Sequence, residues 1–165
     1  MRRLSDDTIV IANDSSFHVS GVRREADRLV GAAALGGIHA ALESARHERV
    51  IVTGCDMPFL NVRLLDWLVA LDQDADVVIP RIGGYPEPLH AIYKKSCIPA
   101  IENAIAAKQL RIVGFFSSVK VRFVDEPELQ AIDPQLRSFR NCNTPDLVRQ
   151  VARDVAREGI ESLIE

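Results

Sequence analysis

The chain reads as one α/β domain of residues 1–165, a three-layer α/β/α sandwich around a mostly parallel sheet. Three observations predict it. Short β-branched runs alternate with longer stretches of helical apolar spacing. Several of the runs are apolar nearly throughout, as strands covered by helices on both faces are. No repeat, low-complexity tract or linker divides the chain, and 165 residues suit one domain of the usual ~100–200.

In order, residues 8–12 give the first strand, 50–53 the second and 76–79 the third. Between them Ile38, Leu42 and Ala45, then Leu60, Leu64, Leu65, Leu68 and Leu71, recur at helical spacing and supply the crossovers, with Trp67 as core packing. Residues 89–93 read as a strand, 97–107 as a helix, and 119–124 as a strand with alternating Val119, Val121 and Phe123. A last helix should begin at Pro145. Thr144 offers a capping oxygen, Pro145 a preset φ, and Asp146 a charge matched to the positive end of the helix dipole. Leu147, Val148, Val151 and Val155 would form its apolar face and Gly159 its end. Residues 30–37, 72–75, 83–88 and 125–134 carry the turn chemistry of loops.

Composition removes several classes of function. With 47% hydrophobic and 26% charged residues the chain can bury a core, which excludes a disordered tail. Twenty Lys and Arg stand against 23 Asp and Glu, for a net charge of −3, and no basic run exceeds two residues. A clamp on a nucleic-acid backbone needs more positive charge than that. Cys55, Cys97 and Cys142 are odd in number and far apart, which suits a reducing cytoplasm better than a disulfide framework. The apolar run at 8–12 is shorter than the ~7–15 residues of a secretory signal, and no stretch approaches the ~20 of a membrane span. The expectation is a soluble, cytoplasmic protein that binds neither nucleic acid nor membrane.

In an open parallel sheet ligands sit beyond the carboxyl ends of the strands. Three polar groups follow apolar runs in that way: Asn13-Asp14, Asp56 within Thr53-Gly54-Cys55-Asp56-Met57-Pro58, and Asn141-Cys142-Asn143 before the capped helix. A carboxylate at Asp56, with Gly54 permitting close backbone approach, suits Mg²⁺ held against a phosphate, although a turn residue or helix cap accounts for the spacing equally well. Asp27, before the small-residue stretch 31–37, offers a second polar contact or else a solvated surface acid. Asn141 and Asn143, two apart on an extended segment, could read the edge of a ring or satisfy turn backbone. Gly36-Gly37 could admit a phosphate, a weak signal by itself. Cys55 reads as inert packing at a strand end. His18, His39, His47 and His90 have no metal-ligand spacing, and neither serine pair sits in a Gly-x-Ser-x-Gly turn.

Taken together, the order of motifs resembles the molybdenum cofactor guanylyltransferase (MobA-like nucleotidyltransferase) family. The matching pieces are Ile9-Val10-Ile11-Ala12-Asn13; Asp27 followed by Leu35-Gly36-Gly37-Ile38; Val52-Thr53-Gly54-Cys55-Asp56-Met57-Pro58-Phe59-Leu60; Glu87-Pro88-Leu89-His90-Ala91-Ile92-Tyr93; and Phe139-Arg140-Asn141-Cys142-Asn143-Thr144-Pro145-Asp146-Leu147. The resemblance implies a nucleotide-diphospho-sugar transferase-like, Rossmann-like fold. It also implies transfer of GMP from GTP to molybdopterin with release of pyrophosphate, and molybdoenzyme-maturation proteins as partners. By the same resemblance Asp56 is the catalytic residue and ligand of Mg²⁺ and the nucleotide, Asn13 and Asp27 contact the nucleotide, and Asn141 and Asn143 contact the pterin. Two features depart from the family. Ala33-Ala34 replaces its usual Gly-Pro, and its opening strand and Gly-Gly-x-Ser-x-Arg-Met-Gly-x-Asp-Lys loop have no counterpart in these 165 residues. The domain is therefore expected to be truncated at its N-terminus relative to the family. A noncatalytic nucleotide- or pterin-binding relative is the alternative to the enzyme, and GTP against CTP stays open.

Overall fold

The computed structural model describes residues 4–29 and 31–158, so the expected helix end at Gly159, the side chain of Val155 and position 30 of the first loop lie outside the described residues. The elements are β1 (Ile9–Ile11), β2 (Arg23–Glu25), α1 (Ala33–Ser44), β3 (Arg49–Thr53), α2 (Val62–Ala70), β4 (Val77–Ile82), β5 (Tyr85–Pro86), β6 (His90–Lys94), α3 (Ile98–Ala106), β7 (Val121–Asp125), α4 (Glu126–Gln130) and α5 (Pro145–Glu158). Short 3₁₀ turns lie at Lys95–Cys97, Ile112–Ser118 and Arg137–Phe139.

In the main sheet β3 pairs with β6, β6 with β4, and β4 with β7. Strands β3, β4 and β7 run parallel, and β6 runs against them. The reversal has a local cause. Gly83 and Gly84 both take positive φ, 58° and 81°, in a two-residue turn that pairs Ile82 with Tyr85. A turn that tight folds the chain back on itself, so the strand that follows is antiparallel.

Alternation along each strand divides the core into two layers. Val50 and Val52 of β3, Val77 and Ile79 of β4, Ala91 and Tyr93 of β6, and Val121 and Phe123 of β7 meet Leu35, Ile38 and Leu42 of α1 and Ile101 of α3. On the opposite face Ile51, Val78, Ile92 and Val124 meet Leu64 and Leu68 of α2 and Leu129 of α4. Helices on both faces of the sheet make the expected three layers.

Strands β1 and β2 form a separate parallel pair, Ile9 opposite Arg23 through Ile11 opposite Glu25. Helix α1 packs against this pair and against β3. Asp7 fastens the junction, its buried carboxylate accepting from Arg23 Nε at 3.0 Å and from the Arg46 amide at 2.8 Å. Burial raises the pKa of that carboxyl, but these two donors outweigh it and hold the group below its ordinary value.

Helix α5 starts at Pro145 as its cap predicts, with Thr144 Oγ1 accepting from the Leu147 amide at 3.3 Å. Its expected apolar face is less covered than the spacing implied, because Val148 is 51% exposed. No described helix is long and apolar enough to cross a membrane.

Candidate functional site

The site grows from the end of β3. The ladder to β6 closes at Thr53 opposite His90, and the Gly54 amide then donates to the Leu89 carbonyl at 2.8 Å. The Met57 amide returns to the Gly54 carbonyl at 3.3 Å, and the Met57 side chain is buried beneath the turn. This geometry lifts Asp56 beyond the strand. A Cβ on Gly54 would lie 2.5 Å from Asp56 Oδ1, so only glycine leaves room for the carboxylate where it sits. Asp56 is half-buried, and its carboxylate makes no hydrogen bond or ion pair among the described residues. Cys55, expected to be packed away, is exposed, because the turn that lifts Asp56 also turns its neighbour outward.

The second wall comes from the far end of the chain. Asp133 is buried and accepts from the amides of Arg137 at 3.1 Å and Ser138 at 2.9 Å, fixing the 3₁₀ turn there. Ser138 Oγ in turn accepts from the Asn61 amide at 3.1 Å, while Asn61 Oδ1 caps α2 by accepting from Leu64 at 3.0 Å. The Arg137 guanidinium lies 5.3 Å from the centre of the Phe59 ring. Phe139 packs on His90 with ring centres 4.7 Å apart. The chain then reaches Asp56, whose carbonyl accepts from the Cys142 amide at 2.6 Å. Asn141 and Asn143, both exposed, therefore flank the residue bonded to Asp56.

The third group lies beyond the carboxyl ends of β1 and β2. Asn13 Oδ1 accepts from the Asp27 amide at 2.9 Å, and Asp27 Oδ1 accepts from the Leu29 amide at 2.9 Å. Asp27 is half-buried, where the alternative reading made it a solvated surface acid. A Cβ on Gly36 would meet Asp27 Oδ2 at 2.6 Å, so glycine in the first turn of α1 makes room for this carboxylate. The structure thus joins Asp56 to the Asn141–Asn143 segment and Asn13 to Asp27. No hydrogen bond or ion pair links the two sets among the described residues.

No group of three or more His, Cys, Asp and Glu side chains gathers into a metal cage among the described residues. Mg²⁺ keeps several waters and is held by one or two carboxylates together with substrate phosphates. Asp56, an unpartnered hard oxygen donor at a strand end, fits this role. Glu87, on the loop leading to Leu89, has its carboxyl pushed above its ordinary value by burial.

Sequence reasoning did not find Asn61, Asp133, Ser138 or the His90–Phe139 contact. Asn61 carried a legible signal, an Asn directly before helical apolar spacing. Ser138 and the His90–Phe139 contact join distant parts of the chain and have no local mark, while Asp133 bonds to amides four and five residues on, in a stretch with the composition of a loop.

Comparison with known proteins follows the same outline. Residues 1–118 match the model of the MobA-like NTP transferase domain. The chain is 38% identical over 141 residues to a probable molybdenum cofactor guanylyltransferase of Pelotomaculum thermopropionicum, covering 84% of this chain and 69% of that protein. Among solved structures it resembles molybdopterin-guanine dinucleotide biosynthesis protein A from Archaeoglobus fulgidus, with a TM-score of 0.69 and 30% identity over 82% of this chain and 69% of that one. A 2-C-methyl-D-erythritol 4-phosphate cytidylyltransferase from Thermus thermophilus shares the fold, with a TM-score of 0.63 and 16% identity over 94% of this chain and 85% of that one.

Proposed function

Because the chain belongs to the MobA-like NTP transferase domain family, we propose that it transfers GMP from GTP to molybdopterin cofactor, releasing pyrophosphate. The observation that carries this reading is the bond from the Cys142 amide to the Asp56 carbonyl, 2.6 Å long, which sets an unpartnered carboxylate beside Asn141 and Asn143. On this reading Asp56 would serve the phosphate side and the amides of Asn141 and Asn143 the pterin ring, on one junction, as joining a nucleotide to a pterin requires.

In the proposed reaction an oxygen of the molybdopterin phosphate attacks the α-phosphorus of GTP. The new P–O bond forms as the bond to pyrophosphate breaks, with no covalent enzyme intermediate. Asp56 would hold Mg²⁺, whose charge when bound offsets that of the transferring phosphoryl group. Asn13 and Asp27 would hold the nucleotide, and Asn141 and Asn143 would orient the pterin, so positioning supplies most of the acceleration. Cysteines without disulfide partners fit a reducing compartment such as the cytoplasm. Proteins that mature molybdoenzymes would be the recipients of the product.

The same geometry serves a second reading. A relative that binds pterin or nucleotide for a partner, without catalysis, has the same walls. The purified chain with GTP, Mg²⁺ and molybdopterin separates the two, read as pyrophosphate release and as dinucleotide by mass spectrometry. Calorimetry of Asp56→Asn, expected to lose at least roughly tenfold in Mg²⁺-dependent nucleotide affinity with its fold intact, tests the metal role. Binding without release selects the second reading. Binding of neither ligand overturns both.

A further inference from the structure

The strongest unexplained feature is His90. Its side chain is fully buried, and neither ring nitrogen has a hydrogen-bond partner. Burying a donor and an acceptor without partners costs free energy, and the ring that bears this cost stands where two segments of the site meet. Its position does suggest a role. The backbone of His90 is fixed opposite Thr53, three residues before Asp56. Its ring bears on Phe139, at 4.7 Å between centres and tilted by 57°, three residues before Cys142. A tilted contact at that separation lets a ring edge, N–H included, face the phenyl π-cloud. One rigid ring therefore spans the two segments that the Cys142–Asp56 bond brings together.

We infer that His90 is a positioning residue that sets the spacing between the Asp56 turn and the Asn141–Asn143 segment by supporting Phe139 from the strand beneath. It touches no substrate and acts through Phe139. The inference rests on the proposed pterin side of the site and makes a directional claim: loss of the ring should disturb the pterin half more than the nucleotide half.

The test compares His90→Ala and His90→Phe with the parent in steady-state kinetics and in amide hydrogen exchange. Expected for His90→Ala is a roughly tenfold rise in KM for molybdopterin, with KM for GTP changed less than about twofold. His90→Phe, which keeps a ring on Phe139, should restore the molybdopterin KM. In exchange, the Cys142 amide should lose protection by roughly tenfold in His90→Ala. The Lys94 amide, bonded at 2.8 Å to the Asp76 carbonyl at the far end of β6, should keep it. Equal change in both KM values, equal loss at Cys142 and Lys94, or no rescue by Phe would overturn the inference. The exchange measurement stands if the parent forms no product, a result that would refute the proposed catalysis alone.

Discussion

Acid should weaken this fold through His90 before it protonates most carboxylates. Burial holds the imidazole neutral and lowers its pKa from 6.5 to about 4, with nearby Asp133 pulling the other way. In the unfolded chain the ring titrates near 6.5. Between the two values the unfolded state binds the proton and the folded state does not. Stability is therefore complete above about pH 6.5 and falls as pH drops toward about 4. The loss from this one group is about 2 kcal/mol at about pH 5 and approaches roughly 3 kcal/mol below the folded value. Urea unfolding of the parent and of His90→Phe at about pH 7 and about pH 5 isolates the term. Contributions from Asp7 and Asp76, whose carboxyls lie below their ordinary values, and from Glu87, whose carboxyl lies above it, are common to both proteins and cancel. The parent should lose about 2 kcal/mol more than the variant between the two conditions. Equal acid sensitivity would show that the ring is not held neutral by its surroundings, and the reasoning would fail.

Five substitutions probe the geometry of the site and its supports. Gly54→Ala would set a methyl 2.5 Å from Asp56 Oδ1 and displace the carboxylate, lowering Mg²⁺-dependent nucleotide affinity roughly tenfold. Gly114→Ala, whose nearest neighbour would be 3.8 Å away, should leave that affinity alone, and calorimetry on both checks the pair. Gly37→Ala meets nothing within 4 Å inside α1 and should raise stability by about 0.5–1 kcal/mol. Gly36→Ala, driven against Asp27, should lower it, and thermal melts decide the order. Ser138→Ala leaves the buried Asn61 amide without its acceptor and should cost about 1–3 kcal/mol in urea unfolding. A loss under about 0.5 kcal/mol would mean that the amide finds another partner.

The layers of this fold were legible because burial on both faces leaves a mark inside each strand. Val77, Val78 and Ile79 are buried to within 1%, and their unbroken apolar run announced a covered strand. Strand β2 left no such mark. Arg23-Arg24-Glu25 is all charge, and it is a strand because its backbone pairs with β1 and Arg23 reaches Asp7. The sense of β6 carries no mark of its own: direction is set by the connection, and the loop chemistry of 83–88 does not state which way the next strand runs. At the site, Asp56 and Asn13 stood out because each follows a strand-like run, and Asp27 because it precedes a stretch of small residues. Ser138 could not stand out, because its partner Asn61 lies 77 residues away and leaves no local pattern.

The small β1–β2 ribbon shares no ladder with the main sheet among the described residues, yet Asn13 and Asp27 ride beyond its end. Two short strands are marginal alone, so the ribbon depends on α1 for its hold. A molecule gripping Asn13 and Asp27 beside Gly36 of α1 would staple the ribbon down. By mass action it would tighten the whole assembly by about 2.7 kcal/mol at a concentration one hundred times its dissociation constant. Occupancy and rigidity at this end of the molecule would then rise together.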